Sequence, residues 1–238
     1  MATMVSRPAK VRADDYYFTG MSVLILGIVL LGFGRTYFLA GAIHAPLPSA
    51  IIHVHAVVYS FWILLLIVQT SLIATGKTAW HRKLGVIGAA NACLMIVLGL
   101  AAAIDTQRRH TSIPGVSPAM ILAIQFAELT NFAFLVTKGI GARRDPQAHK
   151  RLMLLSTITL MGPAINRWPF AVMLRFPPAT GLVIDVLLLG LIAFDLVTRR
   201  KVHRVTIWGS LLIFFAVPCA SAFSFLPFWR HFAEWIRQ

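Results

Sequence analysis

Apolar and polar positions alternate along this chain in long blocks rather than residue by residue. Seven mainly apolar segments are separated by short polar connections, at residues 18–42, 49–75, 81–104, 118–138, 147–173, 179–198 and 205–227. A helix needs about 20 apolar residues to cross the hydrocarbon core of a bilayer. The pattern therefore predicts an all-α, polytopic membrane protein with seven transmembrane helices. We assign residues 18–238 to this single domain and residues 1–17 to a cytoplasmic tail.

The composition supports a membrane protein and indicates its orientation. Of the 238 residues, 58% are hydrophobic and only 13% are charged, which is more apolar surface than a soluble domain can cover. A net charge of +14 would favour nucleic-acid binding in a soluble protein, but here most cations lie in short connections beside apolar segments. By the positive-inside rule this predicts a multi-pass protein of a bacterial inner membrane, with a cytoplasmic amino terminus and a periplasmic carboxyl terminus. The expected partner is the lipid bilayer, and nucleic acid is not expected.

Two of the predicted helices begin in the same way. The stretches 80–84, WHRKL, and 148–152, AHKRL, each place a histidine, two cations and a leucine at the start of an apolar segment. Asp145 is a suitable capping residue for the second of them, and Pro146 fits the first helical position. If the second to fifth helices form a four-helix core, His81 and His149 lie at the same cytoplasmic depth.

Facing histidines on two helices of a bundle are what a haem iron needs as axial ligands. We therefore predict one b-type haem, with His81 and His149 as the ligands of its iron. Helix amino termini favour the neutral imidazole that can ligate a metal. The neighbouring cations Arg82, Lys150 and Arg151 are expected to meet the haem propionates. The alternative interpretation is that these residues anchor the helices among anionic lipid headgroups.

A second group of polar residues is predicted nearer the periplasmic side. Its members interrupt apolar segments: Arg35, His53, His55, Glu128, Asn166, Arg167 and Asp185. Ionisable groups inside membrane spans usually face the protein interior and pair with one another. We therefore expect Arg35 or Arg167 to pair with Glu128 or Asp185.

The two histidines of this group, His53 and His55, point about 200° apart on a helix, so at most one faces the bundle. The group is interpreted as a pocket for a substrate or a quinone, as a mixed histidine and carboxylate metal site, or as a structural ion-pair network. On the cytoplasmic side, Asp195 is interpreted as the local counter-ion of Arg199 and Arg200.

The helix starts resemble those of a known group of proteins. The motif HRKLG at 81–85 and the motif HKRLM at 149–153, with His55 and Ala56 at the start of an earlier span, resemble a poorly characterised family of bacterial polytopic proteins with HRxLG and HxRxM starts. That family looks related to membrane proteins of cytochrome oxidase assembly, and the pattern also resembles transmembrane b-type cytochromes and ferric reductases. The resemblance covers residues 50–165. It implies a role in haem handling or electron transfer, with His55, His81 and His149 as the cofactor-binding histidines.

Three functions remain as hypotheses. The first is a haem-binding membrane oxidoreductase whose redox partner is a quinone or a respiratory-chain protein. The second is a small-molecule or proton-coupled transporter that uses the periplasmic-side polar group. The third is an intramembrane metal-dependent hydrolase with ligands drawn from His53 or His55, Glu128 and Asp185.

Overall fold

The computed structural model describes residues 9–40, 49–110, 115–176 and 178–238. In these residues all helices are α-helices, except for a short π-helix, Gly34–Phe38, that continues the first one. The α-helices are α1 (Ala9–Phe33), α2 (Ala50–Ala74), α3 (Thr78–Arg108), α4 (Pro118–Gly141), α5 (Pro146–Ile158), α6 (Gly162–Ile165), α7 (Ala171–Arg175), α8 (Ala179–Arg199), α9 (Arg204–Phe223) and α10 (Pro227–Arg237). The predicted all-α class is confirmed.

Six helices of the described part are long and apolar enough to cross a membrane: α1 with its π-helix, α2, α3, α4, α8 and α9. Large apolar side chains such as Val86 (72% exposed) and Val197 (82% exposed) lie on their outer surface. A surface of this kind is suited to contact with lipid tails. The chain is therefore a multi-pass membrane protein.

The fifth predicted segment, 147–173, is not one continuous span. It is divided into α5, α6 and α7, so the count of seven spanning helices is not confirmed. After Ile158 the hydrogen bonds of Leu160 and Met161 reach back only three residues. Pro163 then has no N–H to donate, and its ring crowds the preceding turn. The last predicted segment, 205–227, likewise ends early at Phe223, and a separate helix, α10, follows it.

The start of α5 is the one that the sequence predicts. The carboxylate of Asp145 accepts hydrogen bonds from the backbone N–H groups of Gln147 (3.0 Å) and Ala148 (3.2 Å), and Pro146 occupies the first helical position. A cap of this kind satisfies backbone donors that have no partner inside the helix.

α5 lies within a core that includes α2, α3 and α4, as predicted, and also α1, α8 and α9. α5 packs against α1, α4, α8 and α9, and its residues from Leu154 to Ile158 are all buried. From α2, the indole Nε1 of Trp62 donates a hydrogen bond to the hydroxyl of Thr157 (3.1 Å). Irregular backbone at membrane depth is tolerated only where protein covers it. The surrounding helices provide that cover for the break that follows α5.

Contacts between the helix ends define one end of the bundle, which we call the basic side. It contains the start of α1, the starts of α3, α5 and α9, and the connections 75–77, 142–145 and 200–203. Ion pairs and hydrogen bonds join α1 to α5 and α5 to α8 at this end. We call the other end, with the starts of α2, α4 and α8, the opposite side.

A close approach between α1 and α6 holds the broken segment in position. A Cβ added at Gly32 would collide with the backbone carbonyl of Ala164. One turn away, the indole Nε1 of Trp168 donates a hydrogen bond to the carbonyl of Ile28 (3.3 Å). Only a glycine leaves room for this contact, because a backbone atom cannot move aside as a side chain can.

We predict that Gly32→Ala destabilises the protein by about 1–3 kcal/mol, the usual cost of overpacking. The matched control is Gly27→Ala in the same helix, where a Cβ meets nothing within 4 Å. Alanine is favoured over glycine in a helix by about 1 kcal/mol, so this control is expected to be neutral or stabilising. Thermal unfolding in detergent compares the two variants. Equal midpoints would contradict the α1–α6 contact.

Candidate functional site

The structure brings the imidazoles of His81 and His149 together on the basic side. His81 lies in the first turn of α3 and His149 in the first turn of α5. Their ring centres are 6.1 Å apart, and the ring planes are nearly perpendicular, at 89°. Both residues are partly buried. The two residues thus form a histidine pair between separate hairpins of the bundle.

A hydrogen bond orients His149 and defines its tautomer. Its Nδ1 lies 2.7 Å from the backbone oxygen of Gly139 in α4. Because a carbonyl oxygen only accepts hydrogen bonds, Nδ1 is the donor, and the Nε2 of the neutral ring carries a free lone pair. A Cβ at Gly139 would lie 2.8 Å from the sulfur of Met153. The missing side chain therefore allows α4 and α5 to approach closely enough for this bond.

His81 also has one nitrogen that is not committed to the protein. Its imidazole interacts with the backbone of Gln69 in α2. The Nδ1 of His81 is buried and has no hydrogen-bond partner within the described residues, and the same holds for Oε1 of Gln69. An unpaired buried polar atom carries a desolvation penalty. Such an atom is a reason to look for a ligand at this site.

The cations beside the two histidines have different environments. Arg82 is exposed and makes no salt bridge among the described residues. Lys83 lies with its Nζ 5.2 Å from the centre of the Trp80 ring. Lys150 and Arg151, which were expected to face haem propionates, make internal ion pairs instead. Lys150 pairs with a carboxylate of α1 at 2.5 Å, and Arg151 pairs with a carboxylate of α8.

The pair of Arg151 with Asp195 is the most deeply buried charged contact in the described structure. Both side chains are 0% exposed. Asp195 also accepts hydrogen bonds from the hydroxyl of Thr206 (2.6 Å) and the backbone N–H of His203 (3.0 Å). Arg151 donates from Nη1 to the backbone oxygen of Gln147 (2.9 Å). Asp195 is therefore the partner of Arg151, and the expectation that it neutralises its own helix end is wrong.

The polar residues at and after the end of α8 have different neighbours. Arg199 donates to the side-chain oxygen of Gln147, and Arg200 is exposed in a left-handed conformation with φ 56°. His203 caps α9, because its Nδ1 accepts from the backbone N–H of Val205 (3.2 Å). Burial, together with the nearby positive charges of Arg151 and Arg199, lowers the pKa of His203. The neutral ring that the cap requires is thereby favoured.

We predict that Asp195→Asn destabilises the protein by about 3–5 kcal/mol, because it leaves the buried Arg151 without a counter-charge. The control is Arg109→Gln, which breaks a pair with Asp105 whose arginine is 43% exposed. An exposed pair contributes about 0–1 kcal/mol. Thermal unfolding in detergent measures both. A loss in Asp195→Asn no larger than in the control would contradict the assigned role of the buried pair.

We also predict a specific acid sensitivity. Because folding lowers the pKa of His203, the unfolded chain binds the proton more tightly, and this contribution to stability falls as the pH drops below about 6.5. Asn caps helices without titrating. The unfolding midpoint of His203→Asn should therefore fall less than that of the parent protein between neutral and mildly acidic buffer. An equal fall in both proteins would show that the cap does not titrate as assigned.

On the opposite side the members of the predicted polar group have different hydrogen-bond and stacking partners. His53 bonds through Nδ1 to the hydroxyl of Tyr37 (2.9 Å), whereas His55 stacks on Tyr59 with ring centres 3.9 Å apart. The two histidines thus point to different neighbours, as their spacing on a helix requires. Only His55 lies between α2 and α3, where it interacts with the backbone of Leu98.

The expected ion pairs of this group are not formed. No salt bridge joins Arg35 or Arg167 to Glu128 or Asp185 within the described residues. Arg35 is exposed on the π-helix, and Asp185 is partly buried on α8.

The two remaining polar residues of the group, Asn166 and Arg167, lie in the turn after α6, and both are exposed. Arg167 donates from Nη1 to the carbonyl of Pro163 (2.7 Å) and lies 5.0 Å from the centre of the Phe33 ring. The side-chain oxygen of Asn166 is 3.5 Å from the hydroxyl of Thr180. Both residues therefore connect the broken segment to its neighbours.

Glu128 lies against the break in the fifth segment. A Cβ added at Gly162 would collide with its Oε1. The hydroxyl of Tyr59, within electrostatic range of this carboxyl group, donates to the backbone oxygen of Met95 (2.9 Å). Sequence reasoning missed Tyr59 and Gly162 as neighbours of Glu128. The glycine next to Pro163 was the one feature of the sequence that indicated a close contact at this point.

The hydrolase hypothesis requires three metal ligands in one place. No group of three or more His, Cys, Asp or Glu side chains in the described part of the chain is arranged to hold a metal ion. The described residues therefore give no support for a centre built from His53 or His55 with Glu128 and Asp185.

Comparison with known proteins adds no further assignment. No family model, curated protein or solved structure matches this chain. The resemblance of the helix starts to haem-handling membrane proteins thus depends on those short motifs alone.

Proposed function

We propose that this protein binds one b-type haem between His81 and His149 and acts in electron transfer or in haem handling for a respiratory oxidase. The observation that carries the proposal is the 6.1 Å separation of the two ring centres. Two imidazoles that ligate one metal ion from opposite sides, each at about 2 Å, have ring centres about 6 Å apart. The perpendicular ring planes are compatible with this, because rotation about a nitrogen–metal bond leaves the distance unchanged.

The protein's own groups support ligation in distinct ways. The carbonyl of Gly139 holds the proton of His149 on Nδ1, so that Nε2 keeps the lone pair that a metal requires. On the other ring, the buried Nδ1 of His81 has no partner among the described residues. Arg82 is exposed and makes no salt bridge with any described residue, which suits an anionic propionate. Haem held by these residues would supply one-electron transfer.

The proposal includes an orientation and a partner. The basic side faces the cytoplasm, in accordance with the positive-inside rule, and the membrane is a bacterial inner membrane. The electron partner is a quinone or a respiratory-chain protein that approaches this side. Lys150 and Arg151 act indirectly, because their ion pairs hold the first turn of α5 and therefore His149 in position.

The test is a visible absorbance spectrum of the purified protein in detergent, before and after addition of haem. We expect a Soret band in the parent protein and its loss in His81→Ala and in His149→Ala, because each variant lacks one of the two residues that would hold the haem iron. The matched control is His231→Ala, which changes an exposed histidine of α10 and should keep the band. Absence of the band in the parent protein would reject haem binding, and its persistence in both site variants would reject His81 and His149 as the ligands.

A second candidate function is transport of a small molecule or of protons on the opposite side. The observation that favours it is the carboxyl group of Glu128 against the break at Gly162, since discontinuous helices often line transport sites. Glu128→Gln and Arg167→Ala should then abolish uptake into proteoliposomes, while His81→Ala has no effect. The reverse result would favour the haem proposal.

A further inference from the structure

Helix α10 at the carboxyl end presents three different faces. It has 11 residues and so is about 16 Å long, too short to cross a bilayer. Its side chains fall into a buried set, an exposed or half-exposed aromatic set and a polar set. These are Trp229, Ala233 and Ile236; Phe228, Phe232 and Trp235; and Arg230, His231, Glu234 and Arg237.

The buried face fixes α10 across the end of the α3–α4 hairpin. The indole Nε1 of Trp229 donates to the backbone oxygen of Ala119 at the start of α4 (2.9 Å). At the other end of α10, Arg237 bonds through Nη2 to Nδ1 of His110, just past the end of α3 (2.9 Å). Trp229, Ala233 and Ile236 form a satellite core with residues of these two helices. The helix therefore lies over the opposite side of the bundle.

The order of the faces around the axis is informative. At about 100° per residue, the centre of the aromatic set lies roughly 100° from the centre of the buried set, and the polar set occupies the arc opposite both. Phe228 is 62% exposed and Trp235 is 67% exposed. The aromatic face thus lies next to the buried face, and the charged face points away from both. This arrangement is expected of a helix that contacts protein, lipid and water on different sides.

The exposed aromatic face continues a surface that already faces lipid. The second half of α9 exposes Phe214, Phe215 and Phe223, and Phe225 in the short connection is 75% exposed. Only three residues separate α9 from α10, so α10 begins at the level where a membrane span ends. Aromatic side chains are enriched at this level of a bilayer.

We propose that α10 is an interfacial helix whose face of Phe228, Phe232 and Trp235 lies in the headgroup–acyl boundary of the lipid leaflet on the opposite side. Its polar face of Arg230, His231 and Glu234 is in contact with water. The lipid surface thereby presses α10 onto the α3–α4 hairpin. The proposal does not depend on haem binding.

The experiment measures the environment of single spin labels on the full chain in liposomes of neutral and anionic phospholipid. The two native cysteines, Cys93 and Cys219, are first replaced by alanine, and one new cysteine is then introduced at position 228, 230, 234 or 235. Collision with oxygen, which concentrates in lipid, is compared with collision with a water-soluble nickel chelate. We expect the oxygen-to-nickel ratio to be several-fold higher at 228 and 235 than at 230 and 234.

Two reference labels calibrate the measurement. Leu189, 59% exposed on the spanning helix α8, provides the lipid value, and Arg144 in an exposed connection provides the water value. Ratios at 228 and 235 close to that of the Arg144 label would overturn the proposal and indicate a water-filled docking surface. Equal ratios at the four positions of α10 would overturn it as well, because the aromatic and polar faces would then be in the same environment.

Discussion

The buried ion pair of Arg151 with Asp195 is the constraint on which the bundle depends. A charge inside a membrane protein is costly unless a partner and further hydrogen bonds compensate for it. Here Asp195 comes from α8, Thr206 from α9 and Gln147 from α5 itself. The ion pair therefore requires α8 and α9 to pack against α5 on the basic side. Lipid could not replace any of these polar contacts.

The central position of α5 has two consequences for the rest of the molecule. First, protein and not lipid surrounds the irregular backbone between Ile158 and Gly162, whose interrupted hydrogen bonds would be unfavourable against lipid. Second, this position brings the first turn of α5 beside the first turn of α3, which is why His149 meets His81. The candidate site therefore lies at the first turn of an enclosed helix, where His149 is partly buried.

On the opposite side the described polar residues are not held by a buried ion pair. Polar groups there have local neighbours: Arg167 contacts a carbonyl and an aromatic ring, and His53 bonds to the hydroxyl of Tyr37. At the ends of membrane spans water and headgroups can solvate such groups. Glu128 forms no salt bridge among the described residues and lies against the break at Gly162. The broken segment, rather than a cluster of ion pairs, therefore distinguishes this side.

Much of the fold and part of the site could be predicted from residues alone. The apolar segments, the cap of Asp145 and the opposite directions of His53 and His55 are local properties, determined by hydrophobicity and by the helical repeat. The break in the fifth segment was foreseeable from Pro163, yet its consequence was not. Whether such a break ends a span depends on how much protein surrounds it.

The sequence by itself determined that the chain crosses a membrane several times and that two similar histidine-bearing helix starts lie at one level. Only the tertiary structure decided which charges pair, because pairing depends on the rotation of each helix about its axis. That rotation turned Arg151 inward to Asp195 on a distant helix and left Arg82 exposed. It also turned two imidazoles toward each other, and no pattern within a single helix encodes that distance.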